Sequence, residues 1–183
     1  MKIKRFTIDG PCLVTPPVFG DSRGWFSETY NATALAAVGI SDVFVQDNHS
    51  YSAKTGTLRG LHFQVEPHAQ AKLVRVVAGA ITDIIVDIRP NSPSFGEHVS
   101  VNLSAKNRAQ LYVPKGFAHG FITRQANTEL CYKVSGFYAP DCDRGIAWDD
   151  PELGLDWGFA TPFCSDKDSK HPTLSDYLER QST

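Results

Sequence analysis

Eight short runs rich in β-branched and aromatic residues, each closed by turn residues and with little helical pattern between them, constrain this chain most. They cover 43–46, 58–64, 72–78, 81–89, 98–103, 110–114, 117–123 and 129–138. Side chains branched at Cβ lose rotamer freedom in a helix and pack well on a pleated surface, so these runs predict strands. Ala78-Gly79-Ala80 predicts a tight reversal, and Asn91-Ser92-Pro93 and Ala105-Lys106-Asn107 punctuate the next runs. Helical signals are few: 31–38, with Asn31 as cap and Gly39 as stop, a single turn at 150–153, and 174–180. Many short strands and little helix predict an all-β jelly roll or related barrel. The expected organisation is one domain, with an N-terminal arm at 1–42, a barrel core at about 43–148 and a tail at 149–183.

Composition removes several function classes. The net charge is -2 and like charges do not cluster, so no nucleic-acid partner is expected. Cys12, Cys131, Cys142 and Cys164 form no C-x-x-C pair, which predicts free thiols rather than a zinc ribbon or redox motif. No apolar run approaches the roughly 20 residues of a membrane helix, and the first ten residues lack a secretory apolar stretch. The expectation is a cytoplasmic protein with no membrane partner.

Five segments carry chemistry. Gly56-Thr-Leu-Arg-Gly-Leu-His62-Phe-Gln64 fits the opening of the cupin metal motif, except that Gln64 stands where a second histidine belongs. Lys72, before Gly79, replaces the metal glutamate, and Pro114-Lys-Gly-Phe-Ala-His119 fits the second cupin motif. A divalent cation wants several imidazole or carboxylate ligands, and an ammonium group in the same cavity repels it. Two histidines and a lysine suit acid–base work on an anion better, so no metal and no cofactor are expected. Phe19–Glu28 places Arg23 for phosphate, Trp25 and Phe26 for base stacking, and Glu28 as a carboxylate acceptor for an imide N–H. The polar run Gln46-Asp47-Asn48-His49-Ser50 reads as a loop. Tyr132 stands in a strand otherwise suited to the core, and Cys164-Ser165-Asp166-Lys167-Asp168 is a charged stretch of the tail.

Taken together, these segments resemble the dTDP-4-dehydrorhamnose 3,5-epimerase family almost end to end, most specifically at Leu58–Gln64, Lys72–Arg75 and Pro114–Phe121. The resemblance implies a cupin-like jelly roll. It makes His62 the catalytic base, Asp168 its charge partner, Tyr132 the acid on the opposite face of the sugar, and Lys72 the group facing the sugar C4 oxygen. Arg59 and His119 would line the same pocket. Arg23, Phe26, Glu28, Gln46, Asn48 and Tyr138 would hold the nucleotide, with Asp47, Asp143 and Lys167 also among the substrate-binding candidates. Asp143 stands where the family usually has Glu, and Trp25 and Gly158 replace the usual Phe and Pro. The family's N-terminal strand crosses to a neighbouring subunit, which implies a homodimer with arm exchange.

The implied substrate is a dTDP-4-keto-6-deoxy sugar whose C3 and C5 hydrogens are acidified by the C4 ketone. Imidazole, with a free pKa of about 6.5, is a suitable base at neutral pH. A carboxylate fixes its tautomer and an ammonium stabilises the enolate oxygen. Two rivals stand beside this reading: an enzyme inverting only C3 or isomerising the ketone, and a non-catalytic cupin that binds nucleotide sugars.

Overall fold

Three of the predicted strands form over the expected residues: β6 (Leu58–Gln64), β7 (Lys72–Ala78) and β11 (Phe117–Thr123). The structure is a computed structural model describing residues 1–181; the last two residues of the predicted tail, 182 and 183, lie outside the described residues. Strands β8 (Ala80–Asp87), β9 (His98–Ser104), β10 (Gln110–Val113) and β12 (Thr128–Val134) differ from expectation only at their ends. β12 stops early because the chain turns at Ser135-Gly136. There Ser135 Oγ accepts the Ala71 N–H at 2.8 Å, and the Gln70 amide donates to the Gly136 carbonyl at 2.6 Å.

One expectation is displaced. The polar run read as a loop is strand β5 (Gln46–Ser52), while 43–45, read as a strand, lies outside it. β5 is an edge strand whose backbone pairs with β12 along its whole length. Its outward side chains meet charged partners on β12, with Asp47 2.9 Å from Lys133 and His49 2.8 Å from Glu129. An edge strand with one wet face needs backbone pairing more than apolar side chains.

The remaining strands are β1 (Lys2–Arg5), β2 (Cys12–Thr15), β3 (Phe19–Asp21), β4 (Gly24–Phe26) and β13 (Asp143–Gly145). They complete two main antiparallel sheets, ordered β1-β2-β10-β7-β12-β5 and β13-β6-β11-β8-β9, while β3 and β4 form a separate hairpin. Val74, Val76, Leu111 and Leu130 of the first sheet pack with Ile81, Ile85, Leu103 and Phe121 of the second to form the central core. The outer face of the second sheet is also apolar: Leu58, Leu61, Ile84 and Ile122 pack with Ile146 and beneath Leu153, Trp157 and Leu174 of the tail. This two-sided burial explains why every residue of β11 is buried.

Helix α1 (Ala32–Ala36) covers the outer face of the first sheet through Leu35, which packs with Val14, Leu73 and Tyr112. Asn31 caps it as expected, its Oδ1 accepting the Ala34 N–H at 3.0 Å, and Gly39 follows in the left-handed region at φ +92°. The second helix, α2 (Leu174–Gln181), lies in the tail. The all-β expectation holds, and among the described residues no helix is long and apolar enough to cross a membrane.

Candidate active site

Strict alternation along β6 puts Arg59 and His62 on opposite faces. The β6–β11 ladder resolves this with a register shift: His119 pairs with His62, but Phe121 pairs with Arg59. The extra residue is a β-bulge at Gly60, whose φ is +135°. A Cβ at Gly60 would lie 2.5 Å from Gly120 Cα, so the close approach of these two strands needs glycine. The bulge turns Arg59 and His62 into one cavity.

That cavity, of about 470 Å³, brings together His62, Lys72, Tyr132, Asp168, Arg59, His119 and Lys167. An adjoining groove of about 460 Å³ shares His62, Lys72, Tyr132 and Lys167 and adds Gln46, Asn48, Tyr138 and Asp143. His62 and His119 come from the second sheet, and Lys72 and Tyr132 from the first, so the proton-transfer candidates face one another from opposing walls.

The tail brings Asp168 to His62 across 106 residues, and the imidazole Nε2 donates to Asp168 Oδ1 at 2.7 Å. Two bonds seat the tail: Phe163 accepts the Leu58 N–H at 2.9 Å and donates to the Gly56 carbonyl at 2.8 Å. Ser165 Oγ then accepts the Asp168 N–H at 3.1 Å. Burial opposes ionisation of Asp168, but the hydrogen bond and charge of His62, with Ser165 and the Gly60 N–H, outweigh it and lower the pKa below the ordinary carboxylate value. An ionised Asp168 fixes the proton of neutral His62 on Nε2 and leaves Nδ1 as the basic nitrogen.

Lys72 is buried, and desolvation pulls its pKa down to about 8 against the opposing charges of Asp83 and Asp143. Its Nζ donates to the His62 carbonyl at 3.1 Å. Burial raises the Tyr132 pKa, with Arg59 opposing, so the phenol keeps its proton at neutral pH. Burial lowers the His119 pKa, against the charge of Asp83, and favours a neutral ring. Its Nε2 lies 2.8 Å from Asp83 Oδ1, a carboxylate that is itself wholly buried.

The cupin metal position does not fit a metal here. The Gln64 amide donates to His68 and Phe137 carbonyls at 2.7 and 3.2 Å, and its oxygen accepts the Ala139 N–H at 2.8 Å. Gln64 therefore pins surrounding loops, and a buried amine occupies the glutamate position.

Four expected residues are not brought to the cavity. Asp47 faces outward toward Lys133. Arg23, Phe26 and Glu28 lie on or just after the β3–β4 hairpin, where Arg23 pairs with its neighbour Asp21. Asp143 bonds Lys167 at 2.6 Å and accepts from the Tyr138 hydroxyl at 3.3 Å. Asp83 and His171 were missed. Asp83 is wholly buried, and the available signal was an acid inside the apolar stretch Ile81-Thr-Asp-Ile-Ile. Nothing local marks His171.

The family model described as dTDP-4-dehydrorhamnose 3,5-epimerase matches residues 5–176. A curated Sinorhizobium fredii protein of that name is 51% identical over 164 residues, covering 88% of this chain and 84% of its own length. The chain belongs to the dTDP-4-dehydrorhamnose 3,5-epimerase family. A Bacillus anthracis epimerase of this family, solved with TDP and pyrophosphate bound, superposes with a TM-score of 0.92 at 48% identity, covering 94% of this chain and 98% of that one. A Legionella pneumophila member, solved with dTDP-4-keto-L-rhamnose, gives a TM-score of 0.91 at 41% identity, covering 95% and 93%. The cupin-like jelly roll of the family is thus the fold of this chain.

Proposed function

We infer that this enzyme takes dTDP-4-dehydro-6-deoxy-D-glucose and inverts C3 and C5 to give dTDP-4-dehydro-L-rhamnose, in rhamnose biosynthesis. The observation that carries the mechanism is the facing of an Asp168-oriented His62 and a protonated Tyr132 across one cavity, with the Lys72 amine beside them. His62 Nδ1 removes the proton from carbon next to the ketone. Lys72 stabilises the enolate oxygen, and a donor aimed where charge develops is worth roughly 3 kcal/mol. Asp168 stabilises the imidazolium. Tyr132 returns a proton from the opposite wall, which inverts the centre. Arg59 and His119 line the sugar chamber, and Gln46, Asn48, Tyr138, Asp143 and Lys167 form the groove for the nucleotide. No step draws on a metal or cofactor.

Incubating the chelator-treated enzyme with the 4-keto substrate in deuterated water tests this reading. Label is expected at both C3 and C5, with inversion at each, and at an undiminished rate after chelation. Label and inversion at C3 alone identify a monoepimerase. No label at either carbon identifies a binding protein. Activity lost to chelator and restored by a divalent ion overturns the metal-free reading.

The enzyme is further proposed to be a single-domain, cytoplasmic homodimer whose N-terminal hairpin completes the partner's site. Support comes from Phe19, Trp25 and Phe26, which are 62%, 59% and 68% exposed on that hairpin. Phe19 and Phe26 are cross-strand partners, and an exposed aromatic pair of this kind suits a contact site. Light scattering at micromolar concentration is expected to give a dimer, and Arg23→Ala to raise KM more than it lowers kcat. A monomer with full activity refutes the exchange.

A further inference from the structure

Behind the dyad stands a second imidazole that the proposed reaction does not use. His171 follows the short 3₁₀ turn Asp168–Lys170, and its Nε2 lies 3.6 Å from Asp168 Oδ1, the oxygen that His62 Nε2 reaches at 2.7 Å. The two rings meet edge to face with centroids 5.6 Å apart. The His171 side chain is only 11% exposed, and its Nε2 is sealed from solvent with no hydrogen-bond partner. Its ring fills the space left by Gly145, where a Cβ would come within 2.3 Å of it. The following backbone is tied at both sides: Ala147 N–H donates to the Pro172 carbonyl at 2.7 Å, and Leu174 N–H to Asp150 Oδ2 at 2.7 Å. The ring is therefore held in place with a polar atom unsatisfied.

We propose that His62, Asp168 and His171 form a zinc site, and that zinc bound there switches the enzyme off. One ligand atom from each residue lies within 4.8 Å of the other two. Two imidazoles and a carboxylate are an ordinary ligand set for a three-ligand zinc centre with its fourth position open. Tetrahedral zinc with bonds of about 2.1 Å separates its ligands by about 3.4 Å. The His171–Asp168 contact is already near that spacing, and the His62–Asp168 pair opens once the proton between them is displaced. Of the nearby ammonium groups, Lys167 is neutralised by Asp143 at 2.6 Å, and Lys72, which donates to the His62 carbonyl at 3.1 Å, keeps a charge that weakens the site without occupying it. This site differs from the cupin metal position, since two of its three ligands come from the tail and Gln64 takes no part.

The consequence is inhibition, and this rests on His62 being the base. Zinc takes the Nε2 lone pair of His62, so the neutral ring carries its proton on Nδ1. That is the nitrogen required to accept the substrate proton. Metal on the far side of the ring therefore disarms the base without filling the sugar chamber.

The test titrates zinc chloride into the purified enzyme while following deuterium wash-in, with His171→Ala and His171→Gln in parallel and thermal unfolding as the check on folding. Wild-type exchange is expected to fall with zinc and to return with chelator. Both variants are expected to keep basal exchange and to need at least about tenfold more zinc for the same inhibition, the lower range for lost support of a metal site. Cys164, which also lines the cavity, is the competing ligand, and Cys164→Ser is expected to be inhibited as wild type is. Inhibition of the His171 variants at wild-type zinc concentrations overturns the proposal, as does its loss in Cys164→Ser. Cobalt(II) separates the two layers of the inference: its visible absorption in the bound state is expected to depend on His171 and to lack a thiolate charge-transfer band. Cobalt bound in this way with undiminished exchange leaves the site standing and removes His62 as the base.

Discussion

His62→Ala is expected to stop deuterium wash-in at both C3 and C5, a loss of at least about 10²- to 10⁴-fold, the usual worth of a positioned general base. His62 is 32% exposed, so its truncation opens no core cavity, but it takes the hydrogen-bond partner from buried Asp168, so the thermal midpoint is expected to fall and circular dichroism checks that the variant is folded. Asp168→Asn is expected to retain a reduced activity, because the amide keeps the shape of the contact but not the charge that stabilises imidazolium. Proton NMR in deuterated water measures both. If His62→Ala exchanges substrate protons at the wild-type rate, another group is the base, and neutral His119, buried on the same wall, is the first candidate.

Tyr132→Phe is expected to separate two rates that the wild-type enzyme keeps together. The ring and its packing against the central core remain, and only the hydroxyl is lost. Abstraction needs His62 and Lys72 alone, so exchange persists. Inversion needs a proton from the opposing wall and is expected to fall by about 10²-fold or more. Labelled substrate of unchanged configuration accumulates, because the enolate is reprotonated from the His62 side. The measurement follows label and stereochemistry together at each carbon. An equal fall in exchange and inversion at both carbons shows that Tyr132 positions substrate and that water supplies the far-face proton.

The proposed zinc site and the proposed reaction call on opposite nitrogens of one ring. Asp168 is common to both: it favours the tautomer that makes Nδ1 basic, and it offers the oxygen on which a metal could replace the Nε2 proton. His171 matters only to the second process. A family member with a small or apolar residue at that position would keep the dyad and lose the third ligand.

Much of this was legible without coordinates, and the parts that were share a physical origin. The residues of β6, β7 and β11 announce themselves because β-branched and aromatic side chains carry strand preference locally. His62, Lys72 and His119 are marked by their spacing within single segments, and strict alternation along 58–64, which by itself separates Arg59 from His62, is what the bulge at Gly60 breaks. The Asn31 cap is likewise a matter of three neighbouring residues. All of these depend on chain separations short enough for propensity or period to act.

What only the tertiary structure decided depends on which distant segments meet. β5 is a strand because β12 offers it a backbone ladder, although its own side chains read as a loop. Asp47 turns away from the groove that Gln46 and Asn48 enter, because successive side chains of a strand point to opposite faces. Asp83 becomes part of the site only where sheet register sets its carboxylate beside His119. Asp168 and His171 reach His62 because the apolar outer face of the second sheet draws the tail across it, through Leu153, Trp157 and Leu174. By itself the sequence determined an all-β chain and pointed to most of the groups proposed to move protons. Their facing across one cavity, and the second imidazole behind the first, followed from strand register and tail packing, which no local pattern encodes.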